Sequence, residues 1–270
     1  MLTLAVPNTL RDTLSYDLQK HATTEVCWQL GQRSTTPSVA FFVGYQAAMR
    51  CLDSKLPSNS WAALLVSEKG VKHPSQMQTQ FDVVTGALKG TKSHTMMANS
   101  GLNTVYIMAK TVEQEPEELV LLKVSAEVLT VLPAKPQAVM REVPHHEVQF
   151  ACHLTQDDVY RFNAHETVNK PFRYWEDVHV LLALAGWMFS QLESQQTEVL
   201  AAAVRLQQAF AASPNYYTLE SLDAVEKLLA VLHNSSAHLA AEASKIWQQD
   251  SMLFLMLKPI WQKIRSKFID

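Results

Sequence analysis

The apolar positions change period twice along this chain. Asn8 is a good helix cap, and Leu10, Leu14 and Leu18 follow at helical spacing, predicting a short amphipathic helix over 8–22. Thr36–Pro37–Ser38 opens a second helix over 39–52, with proline in a permitted first-turn position. Its apolar residues (Phe41, Phe42, Val43 and Met49 among them) lie on most sides, so most of its circumference should be buried. From Trp61 the runs become short. Strands are expected over 81–86, 103–109, 119–124 and 147–153, forming one antiparallel sheet, with a shorter strand over 128–132. Turn residues at Gly86, Gly90, Asn99–Ser100–Gly101, Pro133, Pro136 and Pro144 separate them. Near Tyr174 the period returns to 3.6 and predicts helices over 174–194, 196–212, 218–247 and 249–268. Ser213–Pro214–Asn215 supplies a break, and Thr218-x-x-Ser221 marks a helix start.

This order predicts an α+β protein. It comprises a short helical N-terminal part (1–65), a small antiparallel β middle domain (66–155) and a C-terminal four-helix bundle (170–270). The 270 residues suffice for a sizeable core, and 47% apolar with 18% charged residues is the composition of an ordinary globular protein. A net charge of −3 argues against a nucleic-acid partner, and the basic cluster Lys258, Lys263, Arg265 and Lys267 is expected to be a solvated helix face. Cys27, Cys51 and Cys152 are odd in number and lack metal or redox spacing, consistent with a reduced, cytoplasmic protein. The first residues carry no secretory pattern, and the longest apolar run, 178–189, is shorter than the roughly 18 residues of a membrane span.

Few local motifs promise chemistry. Gly86-x-x-x-Gly90-Thr91-Lys92-Ser93 glances at a phosphate loop, but its spacing is off and it lies between strands rather than between a strand and a helix. His145–His146–Glu147, with Cys152 and His153, offers ligand chemistry without ligand spacing, and neighbours on a strand face opposite ways. No metal site is expected there. His179, preceded by Arg173, Glu176 and Asp177, could form a dyad; a histidine bonded to its own helix neighbours is the simpler expectation. Neither a G-x-S-x-G elbow nor a G-x-G-x-x-G turn is present.

The order of features over 67–110 is more telling. An apolar run ends in Ser67–Glu68, a polar loop follows, then a strand, Leu88-Lys89-Gly90-Thr91-Lys92, Ala98 and an apolar strand. This resembles the middle domain of the acyl-CoA dehydrogenase family, and Trp247–Gln248–Gln249–Asp250 with its basic end resembles that family's last helix. The resemblance implies FAD, an acyl-thioester groove, and a homo-oligomer (dimer or tetramer) or a related acyl-CoA dehydrogenase subunit as partner. The nearly all-round apolar run 178–189 is a further reason to expect a dimer.

Residue by residue, the resemblance places Ser67, Glu68, His94, Thr95 and Met96 in the cofactor groove, with His94 at an aromatic position and Met96 at one that donates toward the flavin. Methionine cannot donate. A proline and a small Gly-Ser pair are replaced by Lys69 and Lys72–His73, and a glycine-rich turn by the glycine-free stretch 232–238. Nothing marks Glu220, Glu226 or Glu242 as the catalytic base. The expectation is therefore an acyl-CoA dehydrogenase-like protein with lost or weakened activity and with FAD bound weakly or not at all. It would act as a non-catalytic subunit or as a binder of an acyl-thioester-like ligand. The alternatives are an active FAD-dependent enzyme oxidising the α,β bond of an acyl thioester, and a purely structural helical scaffold.

Overall fold

A computed structural model describes residues 21–57, 59–99, 101–112, 117–134 and 137–268. The helix expected over 8–22 lies almost wholly outside them. The chain forms two compact units.

The first unit holds Lys55–Gln137 and Val143–Phe172. Its strands are β1 (Ala62–Leu65), β2 (Gln80–Asp82), β3 (Ala87–Met96), β4 (Thr104–Val112), β5 (Leu119–Ser125), β6 (Thr130–Val131), β7 (His145–His153) and β8 (Val159–Arg161). They make one sheet in the order β6-β7-β3-β2-β4-β5-β8, with β1 also on β4. The sheet is mixed, which corrects the expectation of a wholly antiparallel one. β1 and β2 both run parallel to β4, pairing with Thr104–Ile107 and Lys110–Val112, while β5 pairs antiparallel with Thr104–Lys110 along its other edge. Alternate residues Val105, Ile107 and Ala109, Val120, Leu122 and Val124, and Val148 and Phe150 build the core face. In β4 the intervening Tyr106 and Met108 are buried as well, so this strand is covered on both faces.

Two local expectations fail for a physical reason. Val83 and Val84 are not strand: Asp82 Oδ1 accepts from the amides of Val84 (2.8 Å) and Thr85 (3.0 Å), folding a turn that leaves Val84 77% exposed. Gly86, at φ +74°, ends that turn. The Gly90–Lys92 stretch, expected to be a turn, is the middle of β3, because β7 pairs with all three of its residues while β2 pairs with Leu88 and Lys89 just before them.

The second unit holds the described residues up to Ser54, Ala138–Glu142, and those from Arg173 on. Its helices are α1 (Thr23–Arg33), α2 (Pro37–Leu52), α3 (Lys170–Gln191, in this unit from Arg173), α4 (Gln196–Ala212), α5 (Leu219–Ser235), α6 (Ala241–Asp250) and α7 (Met252–Ser266). Thr36 caps α2 by accepting from Val39 N, with Pro37 in the first turn as expected. Thr218 and Ser221 form a reciprocal capping box on α5. The long helix expected over 218–247 is broken at Ser236–Ala240, giving five C-terminal helices where four were expected. α3 is buried from Val178 to Met188 by its own chain. Gly44 lets α2 approach closely: a Cβ there would stand 2.6 Å from Val180 Cα and 2.7 Å from His179 O. The apolar run therefore needs no second copy to cover it.

Candidate functional site

The positions matched to the cofactor groove lie on β3 and on the chain leaving β1. Glu68 is buried and accepts three hydrogen bonds. Its carboxylate accepts from Gln78 N (2.6 Å), Thr79 N (3.1 Å) and Lys92 Nζ (2.8 Å), clamping the β1–β2 connection to the sheet. Burial alone would raise this carboxyl, but the Lys92 ammonium and the amide donors outweigh it and hold it below the usual range. Burial in turn draws Lys92 down to about 8, against the pull of Glu68. Both are charged at neutral pH. Exposed Ser67 has its carbonyl occupied by Ser93 N (2.8 Å) and Ser93 Oγ (3.1 Å).

The rest of β3 follows from a register shift between Lys92 and Thr95 against β7. The shift leaves His94 exposed, its Nδ1 2.8 Å from Ser93 Oγ, while Thr95 and Met96 are buried. Thr95 Oγ1 has no partner among the described residues. Met96 has no donor to offer. On the exposed loop, Lys72 and His73 present long side chains, and His73 Nδ1 is engaged by Ser75 Oγ (2.8 Å). Of the matched positions, Ser67, Lys72 and His94 keep exposed side chains, while Thr95 and Met96 do not.

The helical unit has a buried polar centre on α3. Asp177 Oδ2 accepts from Trp261 Nε1 (2.6 Å), Arg173 Nε (3.1 Å) and the hydroxyl of Tyr217, and Oδ1 lies 2.9 Å from Arg173 Nη2. Burial pushes the Asp177 carboxyl above the usual range, opposed by Arg173, Tyr217 and Trp261. Two residues on, buried His179 takes two roles. Nδ1–H donates to Trp175 O (2.6 Å), so Nε2 accepts from Thr23 Oγ1 (2.7 Å), with Cys51 Sγ at 3.7 Å. Burial holds His179 at about 4 and pushes Cys51 up to about 11. A neutral imidazole beside a protonated thiol is not an activated nucleophile. Asp177 and His179 have separate partners and make no dyad; the bond to Trp175 is the expected local one.

The other sequence candidates are dispersed. His146 Nδ1 meets Leu132 O (3.0 Å) and His145 Nδ1 meets Val143 O (2.9 Å), with burial taking His145 down to about 4. No group of three or more His, Cys, Asp or Glu among the described residues is placed to hold a metal ion. Glu220 and Glu242 lie in first turns of α5 and α6, and Glu226 pairs with Arg265 at 3.1 Å. Among the described residues, no helix is long and apolar enough to cross a membrane.

No protein-family model matches the sequence, and no curated protein matches it. Solved structures do. An apo form of PigA superposes with a TM-score of 0.66 at 14% identity, over 97% of this chain and 89% of its own. Butyryl-CoA dehydrogenase from Megasphaera elsdenii gives 0.61 at 12% identity, over 83% and 70%. The prolyl acyl carrier protein oxidase AnaB gives 0.63 at 11%, over 90% and 80%. The fold is that of the acyl-CoA dehydrogenases. Identities this low establish the fold and nothing finer.

Sequence reasoning missed what holds the acyl-CoA dehydrogenase-like fold together here. The Glu68–Lys92 pair is separated by 24 residues, and no short spacing announces it. Asp250 was read only as a motif position. Its Oδ1 accepts from Met140 N (2.8 Å) and its Oδ2 from Ser38 Oγ (3.2 Å), tying α6 to α2 and to Ala138–Glu142. For Asp177 a signal did exist: a carboxylate within an otherwise apolar helix must find partners.

Proposed function

We propose that this chain uses the acyl-CoA dehydrogenase fold without its dehydrogenation, as a non-catalytic subunit or a binder of an acyl-thioester-like ligand. The observation that carries this reading is the engagement of the buried carboxylates. Glu68, Asp177 and Asp250 each accept two or more internal hydrogen bonds, which commits these three buried carboxylates to holding the fold. The flavin-side changes point the same way. Three lost contacts at roughly 1–3 kcal/mol each lower flavin affinity by about two to six decades. The deciding experiment is an absorption spectrum of the purified protein, followed by acyl-CoA-dependent dye reduction with added FAD. The expected result is a colourless preparation without turnover. One flavin per chain would overturn the reading.

One observation favours an active enzyme. Half-buried Glu176 is pushed up to about 7 by burial, with Arg173 Nη1 at 4.0 Å pulling it back, and this is the range a general base needs. If dye reduction is seen and Glu176→Gln abolishes it while flavin content is unchanged, the active reading replaces the first. Self-association belongs to the same proposal. Leu200 and Val204, exposed one turn apart on α4, support it, and a monomer mass by light scattering would count against it.

A further inference from the structure

α7 is lightly held within the helical unit. Among the described residues, Trp261 is the one of its 15 that is buried, whereas α5, two residues longer, buries Leu222, Val225, Leu228 and Leu232 among others. Leu255 and Met256 are 70% and 65% exposed. A groove of about 580 Å³ lies between α7, α5 and α6, so the packing beneath the helix is incomplete. The helix is also weak in itself. Ser251 makes no side-chain cap at its start, and Pro259 in its interior removes the amide that Leu255 O would accept from.

The element is fixed at its start and tied at one buried point. Asp250, the last residue of α6, is pinned by Met140 N (2.8 Å) and Ser38 Oγ (3.2 Å), so α7 departs from a fixed corner at Ser251. Beyond that corner, Trp261 Nε1 donates to buried Asp177 at 2.6 Å. Arg265 meets Asp223 and Glu226 only through half-exposed carboxylates, and such bonds contribute little. An element with few buried contacts and one buried polar tie opens at a lower free energy than the core beneath it. We propose that α7 is a strap that opens as a unit about the Asp250–Ser251 corner while α3, α5 and α6 stay folded, with the Trp261–Asp177 bond as its latch. Opening uncovers the groove wall at Trp247 and Leu232. A detached helix of this length is marginal in water, so it frays once released. The strap is independent of flavin content and of dehydrogenation.

The test is native-state hydrogen exchange of the whole chain at increasing sub-denaturing urea, read by mass spectrometry on peptides from α7, α3 and α5. Amides of α7 are expected to exchange roughly a hundred-fold faster than the slowest of α3, with a much shallower dependence on urea because little surface is uncovered. Trp261→Phe removes the latch bond and should speed α7 exchange roughly ten-fold or more, the worth of a buried hydrogen bond to a charged group, with the shallow urea dependence kept. Pro259→Ala restores the missing amide and should slow α7 exchange roughly ten-fold or more. Exchange of α7 at the rate and urea dependence of α3 would overturn the proposal, since α7 would then open only with global unfolding. Indifference of α7 to either substitution would do the same. So would protection of α7 that is lost on dilution, because a second copy rather than the latch would then hold the helix.

Discussion

Lys92→Met removes one partner of a buried pair, and its cost follows from what is left behind. Lys92 and Glu68 side chains are 1% and 4% exposed and 2.8 Å apart. Removing one member of such a pair costs about 3–5 kcal/mol, because the other charge stays desolvated. Protonation of the stranded Glu68 limits that cost. From an ordinary carboxyl value near 4.3, protonating it takes about 3.7 kcal/mol at pH 7 and about 1 kcal/mol at pH 5. In the parent protein Glu68 is held below its unfolded value, so its stabilisation is present above that value and lost as pH falls. In the variant its folded value is raised, so stability is greatest at low pH and lost as pH rises. Urea unfolding at pH 5 and pH 7 reads the difference. A loss of roughly 3–4 kcal/mol at pH 7 that shrinks to about 1–2 kcal/mol at pH 5 is expected. The double variant Glu68→Gln/Lys92→Met should be less damaged at pH 7 than Lys92→Met alone. A cost below about 1 kcal/mol, or the same cost at both pH values, would show that the pair is not desolvated as described.

Gly44→Ala should destabilise by roughly 1–3 kcal/mol or more, since α2 and α3 must part to admit a Cβ; an unchanged melting temperature would contradict the packing. Asp177→Ala strands the donors of Tyr217, Trp261 and Arg173 and should cost about 3–5 kcal/mol, with a shifted tryptophan emission as Trp261 loses its anchor. The raised folded value of Glu176 means that its stabilisation is full below its unfolded value and lost as pH rises toward about 7. Glu176→Gln should therefore raise stability at pH 8 by about 1–3 kcal/mol and leave it unchanged near pH 4; equal effects at both would refute the assignment.

Repetition along the chain determined the helices and most of the strands. The 3.6 period after Tyr174 and the unbroken apolar run Val105–Ala109 each record the burial of a local element, and the cap at Thr36–Pro37 records where a helix starts. The order of those elements was enough to point to the acyl-CoA dehydrogenase fold, which the superpositions bear out at 11–14% identity. What sequence could not contain was pairing between distant residues. That Gly90–Lys92 is strand rather than turn depends on β7 arriving along it, with β2 taking Leu88 and Lys89 just before. That β1 and β2 run parallel to β4 depends on long connections with no signature of their own. Glu68 looked like a groove residue until Lys92 closed on it, and Asp177 and His179 looked like partners until Tyr217, Trp261 and Thr23 took them separately. A buried polar group is satisfied by whichever donor the tertiary fold brings near, and only the three-dimensional structure decides which donor that is.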